Sequence, residues 1–174
     1  RMAARVADGA VVVVSGPDGV QVGTEKAWQA LEERGIPSLV FVSNMDRERA
    51  NFADALTSVQ ENLTRVAAPL QVPIGKEQDF QGVVDLVAQK AYTFSEDGKE
   101  VTEGDIPGDL ADEVAEYREK LVEVVAESDD ELMEKFFAEE MTDDDLKQGL
   151  ATAIAAGSLV PVIAGSGKRN MGAQ

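Results

Sequence analysis

The chain has 174 residues, with 33 Asp+Glu against 16 Lys+Arg, no His and no Cys, for a formal charge of −17. That composition excludes a disulfide framework, a Cys/His zinc site, a Cys nucleophile and a Ser-His-Asp triad. A pI near 4.3 argues against a broad basic face for a phosphate backbone, and 44% hydrophobic residues argue against a disordered acidic chain. The length fits one domain, with room for a smaller second body. The longest mostly apolar stretch, residues 153–165, is broken by Ser158 and Pro161 and is too short to span a bilayer. With no signal peptide at Arg1, the expected setting is cytoplasmic.

In chain order, Ala10-Val11-Val12-Val13-Val14-Ser15 is a β-branched run, expected as a parallel strand buried on both faces. After a loop rich in Gly and Pro, Thr24 is a candidate cap for a helix carrying Ala27 and Leu31, which Gly35 and Pro37 stop. Leu39-Val40-Phe41-Val42 is a second buried strand, making a βαβ unit with a right-handed crossover. Asn51 caps a helix with Phe52, Leu56, Val59 and Leu63 on one stripe. The middle changes style. Gly82-Val83-Val84-Asp85-Leu86-Val87 and Ala91-Tyr92-Thr93-Phe94 read as short strands, and Asp97-Gly98 as a hairpin turn.

Three helices follow. The first starts near 107–109, with Leu110, Val114, Tyr117, Leu121 and Val125 on one stripe. Ser128-Asp129-Asp130-Glu131 reads as a capping box opening the second, with Leu132, Phe136 and Phe137. Thr142-Asp143-Asp144-Asp145 opens the third, which turns Leu146, Leu150 and Ile154 inward and stops at Gly157. Leu159-Val160-Pro161-Val162-Ile163-Ala164 returns to a buried strand, and its Pro points to an edge or outer position. The charge is uneven: residues 103–147 carry a net −14, residues 1–102 only −5 and residues 148–174 +2. An acidic subdomain is therefore set within an ordinary α/β chain.

Ligands of open parallel sheets bind at the carboxyl ends of the strands. Two polar loops sit there: Ser43-Asn44-Met45-Asp46 after the second strand and Gly165-Ser166-Gly167-Lys168 after the last. Parallel pairing would let them converge on one ligand despite 120 residues of separation. Each loop also has an ordinary reading, Asp46 as a turn or cap residue and Gly165-Ser166-Gly167 as a tight strand exit. Gly167-Lys168 is not a Walker loop, because residue 162 is Val and Arg169 stands where Ser/Thr is needed. The Asp143–Asp145 cluster lacks the Gly and distal Glu of an EF-hand and reads as a solvated helix start.

At this point a family is visible. Ala7-Asp8-Gly9-Ala10-Val11, Gly19-Val20-Gln21, Phe41-x-x-x-Met45-Asp46-Arg47, Leu70-Gln71-Val72-Pro73-Ile74-Gly75, Gly82-Val83-Val84-Asp85-Leu86, Glu131-Leu132-Met133-Glu134-Lys135-Phe136 and Gly165-Ser166-x-x-x-Asn170-x-Gly172-x-Gln174 occur in order. Together they resemble bacterial elongation factor G, with Gly19-Val20-Gln21-Val22-Gly23-Thr24-Glu25 most similar to its elongation factor G-like paralogues. The resemblance implies an α/β fold: part of a P-loop GTPase domain, with three parallel strands and helices, carrying an inserted acidic α+β G′ subdomain. It implies core at 1–64, insertion at 65–158, and the last core strand with a guanine-binding loop at 159–174. It places the phosphate loop and switches upstream of Arg1 and the ribosome-engaging domains downstream of Gln174. The implied activity is GTP hydrolysis coupled to ribosomal translocation, with GTP/GDP and magnesium as cofactors of the parent protein. Hydrolysis needs phosphate positioning and a metal site, so the isolated 174 residues, with no catalytic residue assigned among them, are expected neither to hydrolyse GTP nor to bind it appreciably.

By the same resemblance Ser43, Asn44, Asp46, Ser166, Gly167 and Lys168 are the guanine-binding set, standing on the family's Asn-Lys-x-Asp and Gly-Ser-Ala motifs. An ionised Asp46 accepts from both donors on guanine's edge, whereas adenine leaves it unpaired. Ser166 would hold that carboxylate, and the Gly167 amide would meet the guanine carbonyl. Ser43 in place of Asn weakens the tie to the phosphate loop. Asn44 in place of Lys covers less of the base, a loss of about 1–2 kcal/mol in burial. Guanine preference with weakened affinity follows.

The acidic helices at 107–156 also read as an interaction module. Its implied partner is the ribosomal stalk protein, engaged through Glu116 and Glu123; a solvated, solubilising face reads the same charges equally well. A diverged GTPase-like regulator outside elongation is the third reading. Finally, the strand at Ala10–Ser15 is expected to present an open edge, giving self-association or disorder over the first ~15 residues.

Overall fold

The computed structural model describes residues 6–172; Gln174, the last letter of the final motif, lies outside them. Among the described residues, eight strands and five α-helices run in the order β1 Ala10–Ser15, α1 Val22–Glu32, β2 Ser38–Ser43, α2 Phe52–Asn62, β3 Ala67–Pro69, β4 Gln71–Ile74, β5 Gly82–Asp85, β6 Lys90–Phe94, β7 Val101–Gly104, α3 Ala111–Ala126, α4 Asp130–Phe137, α5 Asp143–Ala156 and β8 Val160–Ala164. They form two four-stranded sheets, β1-β2-β8-β3 and β4-β5-β6-β7. The first is parallel throughout and the second antiparallel, so a mixed α/β body carries an α+β insertion.

The expected βαβ unit is present, with Ala10↔Ser38 through Ser15↔Ser43 in register. β1 departs from expectation in its burial. Val12 and Val14 are buried, but Val11 and Val13 are each 60% exposed, because β1 pairs only with β2 and one of its faces is bare. Disorder is not found over Ala10–Ser15, which form the strand; residues 1–5 lie outside the described residues.

The placement of the last strand is a second correction. β8 is central, between β2 and β3, despite Pro161. Its ladder with β2 begins at Val40↔Val162, one residue beyond the proline, so the missing N–H lies off the end of that ladder. On the other side the Val160 amide donates to Val66 O (3.0 Å) and Val162 O accepts from the Leu70 amide (2.9 Å). The strand β3, which joins the three expected ones, is only Ala-Ala-Pro and has no periodicity to read.

Helix starts divide between confirmation and correction. The Asn51 side chain accepts from the Ala53 and Asp54 amides, as expected of a cap. α1 begins before Thr24, at Val22, and its N-cap is Gln21, whose side chain makes no cap bond. Ser128 is not the cap of α4, because its hydroxyl donates back to Val125 O (2.6 Å). Asp129 takes the role and accepts from the Glu131 and Leu132 amides. Thr142 and Asp145 make a reciprocal capping box on α5, and Gly157 ends that helix in the left-handed region at φ 72°.

The helices close over the antiparallel sheet. Val114, Leu121, Val125, Leu146, Leu150 and Ala153 share a core with Val72, Val84 and Leu86. Arg118 pins this packing from within, donating to Leu86 O, to Val87 O (3.2 Å) and to Asp143 (2.6 Å). Phe80 and Val83 of the insertion pack instead into the core of the parallel sheet, so the two sheets share side chains.

Asp145 ties the α4–α5 junction together. It accepts from Lys135 Nζ (2.8 Å) and from the Thr142 amide (3.0 Å) and hydroxyl (2.5 Å). The Lys135 ammonium, followed by the Thr142 donors, holds its carboxyl well below the usual carboxylate range. A depressed folded-state pKa stabilises above the unfolded value, and that stabilisation is lost as pH falls through the folded one. Asp145→Asn is therefore expected to lower thermal stability at neutral pH and to narrow the gap to wild type below about pH 4. Melting curves recorded from about pH 7 to about pH 2 test this, and a gap that stays constant across the range refutes it.

Candidate functional site

Both polar loops emerge at the carboxyl edge of the parallel sheet, as strand polarity requires. The Gly165 amide donates to Val42 O (2.9 Å), the Met45 amide to Gly165 O (3.2 Å) and the Gly16 amide to Ser43 O (2.8 Å). Backbone bonds thus tie the exits of β1, β2 and β8 together. Met45 is buried and anchors its loop, and Gly16 leaves room for it, since a Cβ there would sit 3.0 Å from the Met45 sulfur.

Within this frame the Ser166 hydroxyl donates to Asp46 Oδ1 at 2.5 Å, joining residues 120 positions apart. Ser166 is fully buried, the one buried polar side chain among the described residues. Its loop is closed by a reciprocal pair with Met171, the Ser166 amide to Met171 O (2.9 Å) and the Met171 amide to Ser166 O (3.0 Å). The Ser166 oxygen also accepts from the Arg169 amide at 3.2 Å. With that lone pair engaged, the hydroxyl proton points at Asp46.

The other expected residues gather here too. Ser43 is half-buried, and its Oγ lies 3.8 Å from where a Cβ on Gly167 would stand. Gly167 and Lys168 are exposed at the rim. Asn44 is half-buried at φ 63°. That left-handed backbone gives Asn44 a conformational reason beyond lost base cover, because Asn tolerates the region better than most side chains. Glu116 and Glu123 belong elsewhere, on the exposed face of α3, and Glu116 is paired with Lys120 at 2.6 Å.

Sequence reasoning missed the supports. Glu77 accepts the Arg49 amide at 2.6 Å, and the Arg169 guanidinium donates to Gln78 O (3.2 Å) and Phe80 O (3.0 Å). No local motif signals these bonds, since each joins a loop of the parallel sheet to the inserted segment.

A solved crystal structure from Thermus thermophilus is similar to this chain at 32% identity with a TM-score of 0.88. The similarity covers 98% of this chain and 25% of that one, so the chain spans about a quarter of its relative's length. The family model described as the Elongation factor Tu GTP binding domain matches residues 1–174. With a full-length match and the two loops joined at one sheet edge, the chain belongs to the elongation factor Tu GTP-binding domain family.

Proposed function

We propose that this chain is the guanine-reading part of a translational GTPase resembling elongation factor G, working in a longer protein that binds and hydrolyses GTP during translocation on the ribosome. The observation carrying this reading is the 2.5 Å bond from buried Ser166 to Asp46. A carboxylate held by one oxygen keeps acceptor capacity for two donors on a shared ring carbon, the pattern of guanine's N1–H and exocyclic amine. Adenine presents an acceptor and no amine at those positions, leaving Asp46 unpaired against it. The Gly167 amide would meet the guanine carbonyl, and Ser43, Asn44 and Lys168 would border the base.

Among the described residues no three His, Cys, Asp or Glu side chains are grouped to hold a metal ion. The role proposed for these residues is confined to reading the base. GTP and ATP titrations of the longer protein test the reading. A guanine preference is expected, and equal affinity would overturn the role of Asp46.

The net −14 of residues 103–147 favours a second reading for α3–α5, a docking face for a basic partner such as the ribosomal stalk protein. Glu116 and Glu123 are exposed on it. Likewise the open edge of β1, whose Val11 and Val13 are exposed, suits self-association or pairing with another strand. No helix among the described residues is long and apolar enough to cross a membrane.

A further inference from the structure

Both base-side loops are braced from outside the parallel sheet by the same short segment, the turn Glu77–Asp79 and its neighbour Phe80. On one side, Glu77 Oε1 accepts the backbone N–H of Arg49, in the loop that carries Asp46. Both partners have left-handed backbones, Arg49 at φ 65° and Glu77 at φ 52°, a conformation that non-glycine residues hold only when surroundings enforce it. On the other side, the Arg169 side chain reaches Gln78 O and Phe80 O, while its own amide donates to Ser166 Oγ. A hydrogen-bonded line thus runs from the turn through Arg169 and Ser166 to the Asp46 carboxylate.

The turn itself has little freedom. Phe80 is fully buried, the Gln81 amide donates to Ile74 O (3.0 Å), and the Phe94 amide donates to Gln81 O (2.8 Å). A Cβ on Gly75 would lie 2.0 Å from Asp79 O, so the backbone is packed with no room to slide. A further contact from the insertion reaches the loop that carries Ser166: Asn170 Nδ2 donates to Gly98 O at 3.3 Å. Movement of the inserted sheet would therefore be transmitted to both loops.

We propose that the 77–80 turn sets how well the Asp46–Ser166 pair grips a guanine base, with Glu77 and Arg169 as positioning residues, so that the inserted subdomain regulates nucleotide affinity. The proposal rests on the guanine reading above. Loss of the Arg169 side chain releases the loop that fixes Ser166 Oγ, and the carboxylate then meets the two donors of the base out of line. The amine contact, at the end of the lever, suffers most.

The test compares GDP with inosine diphosphate, which lacks the exocyclic amine, together with ADP, on the longer protein. Wild type is expected to prefer GDP over inosine diphosphate by about tenfold or more, the worth of one hydrogen bond to a charged group. Arg169→Ala and Glu77→Ala are each expected to shrink that ratio about fivefold, with Arg169→Lys partly restoring it. Melting temperatures are recorded alongside. If the ratio stays at its wild-type value in both alanine variants, even with lowered melting temperatures, the turn is only a structural brace and the proposal fails. If wild type discriminates neither GDP from inosine diphosphate nor GDP from ADP, the guanine reading itself falls, and the proposal with it.

Discussion

In the longer protein, Asp46→Asn is expected to weaken GDP binding by about a hundredfold or more and to turn base preference toward xanthine. Asp46 is acceptor-only, and the Ser166 hydroxyl fixes its orientation at 2.5 Å. Two hydrogen bonds to a charged acceptor contribute about 1.5–3 kcal/mol each, and about 1.4 kcal/mol corresponds to tenfold in affinity. The Asn amide retains one acceptor but sets an NH₂ group against the guanine amine, so donor faces donor. Xanthine carries a carbonyl where guanine carries that amine, and the same NH₂ can donate to it. The Ser166 bond survives in the variant if the amide oxygen takes the Oδ1 position, so the loop frame need not change. Competition between GDP and xanthosine diphosphate reads the outcome directly. A variant that keeps wild-type GDP affinity would remove Asp46 from base recognition.

That the pair could be anticipated at all reflects the strength of two signals. Val11–Val14 and Leu39–Val42 are continuous apolar runs rich in Val, and a helix between two such runs dictates parallel pairing. Parallel pairing then puts Asp46 and Ser166 at one end of the sheet whatever their separation in sequence. Features resting on neighbours were not legible. Pro161 looked like an edge residue because the residue pattern does not show where the partner ladder begins. Ser128 and Asp129 are both good caps, and Ser128 lost the role because the end of α3 claimed its hydroxyl. β1 looked doubly buried because its composition reports apolarity, not coverage. Asn44 looked like a weakened contact until its φ of 63° showed a backbone demand. Arg169 and Glu77 act through bonds to or from distant backbone, which no side-chain pattern encodes.

The same loop supplies a test of how tightly the site is built, from two glycines two residues apart. In Gly165 an added Cβ would lie 2.5 Å from Met171 O and 2.7 Å from the Phe41 ring. Neither neighbour yields easily. Met171 is buried and held by its reciprocal bonds to Ser166, and Phe41 sits in β2 opposite Ile163. Overpacking against backbone costs about 3 kcal/mol, which for a domain of this size lowers the melting temperature by about 6–12 °C. Relief can come only from shifting the 165–172 loop, which moves Ser166 off Asp46 and weakens guanine binding as well. At Gly167, by contrast, the nearest atom to an added Cβ is Ser43 Oγ at 3.8 Å, and the backbone is outside the left-handed region. Gly167→Ala restores the Gly-Ser-Ala of the resembled family, keeps the amide donor, and should stabilise by about 0.4–1 kcal/mol through reduced unfolded-state freedom. Thermal melting of Gly165→Ala and Gly167→Ala side by side is therefore expected to move in opposite directions. Equal shifts would mean that the 165–172 loop accommodates side chains freely, and a loop that loose could not hold Ser166 on Asp46 to read a base.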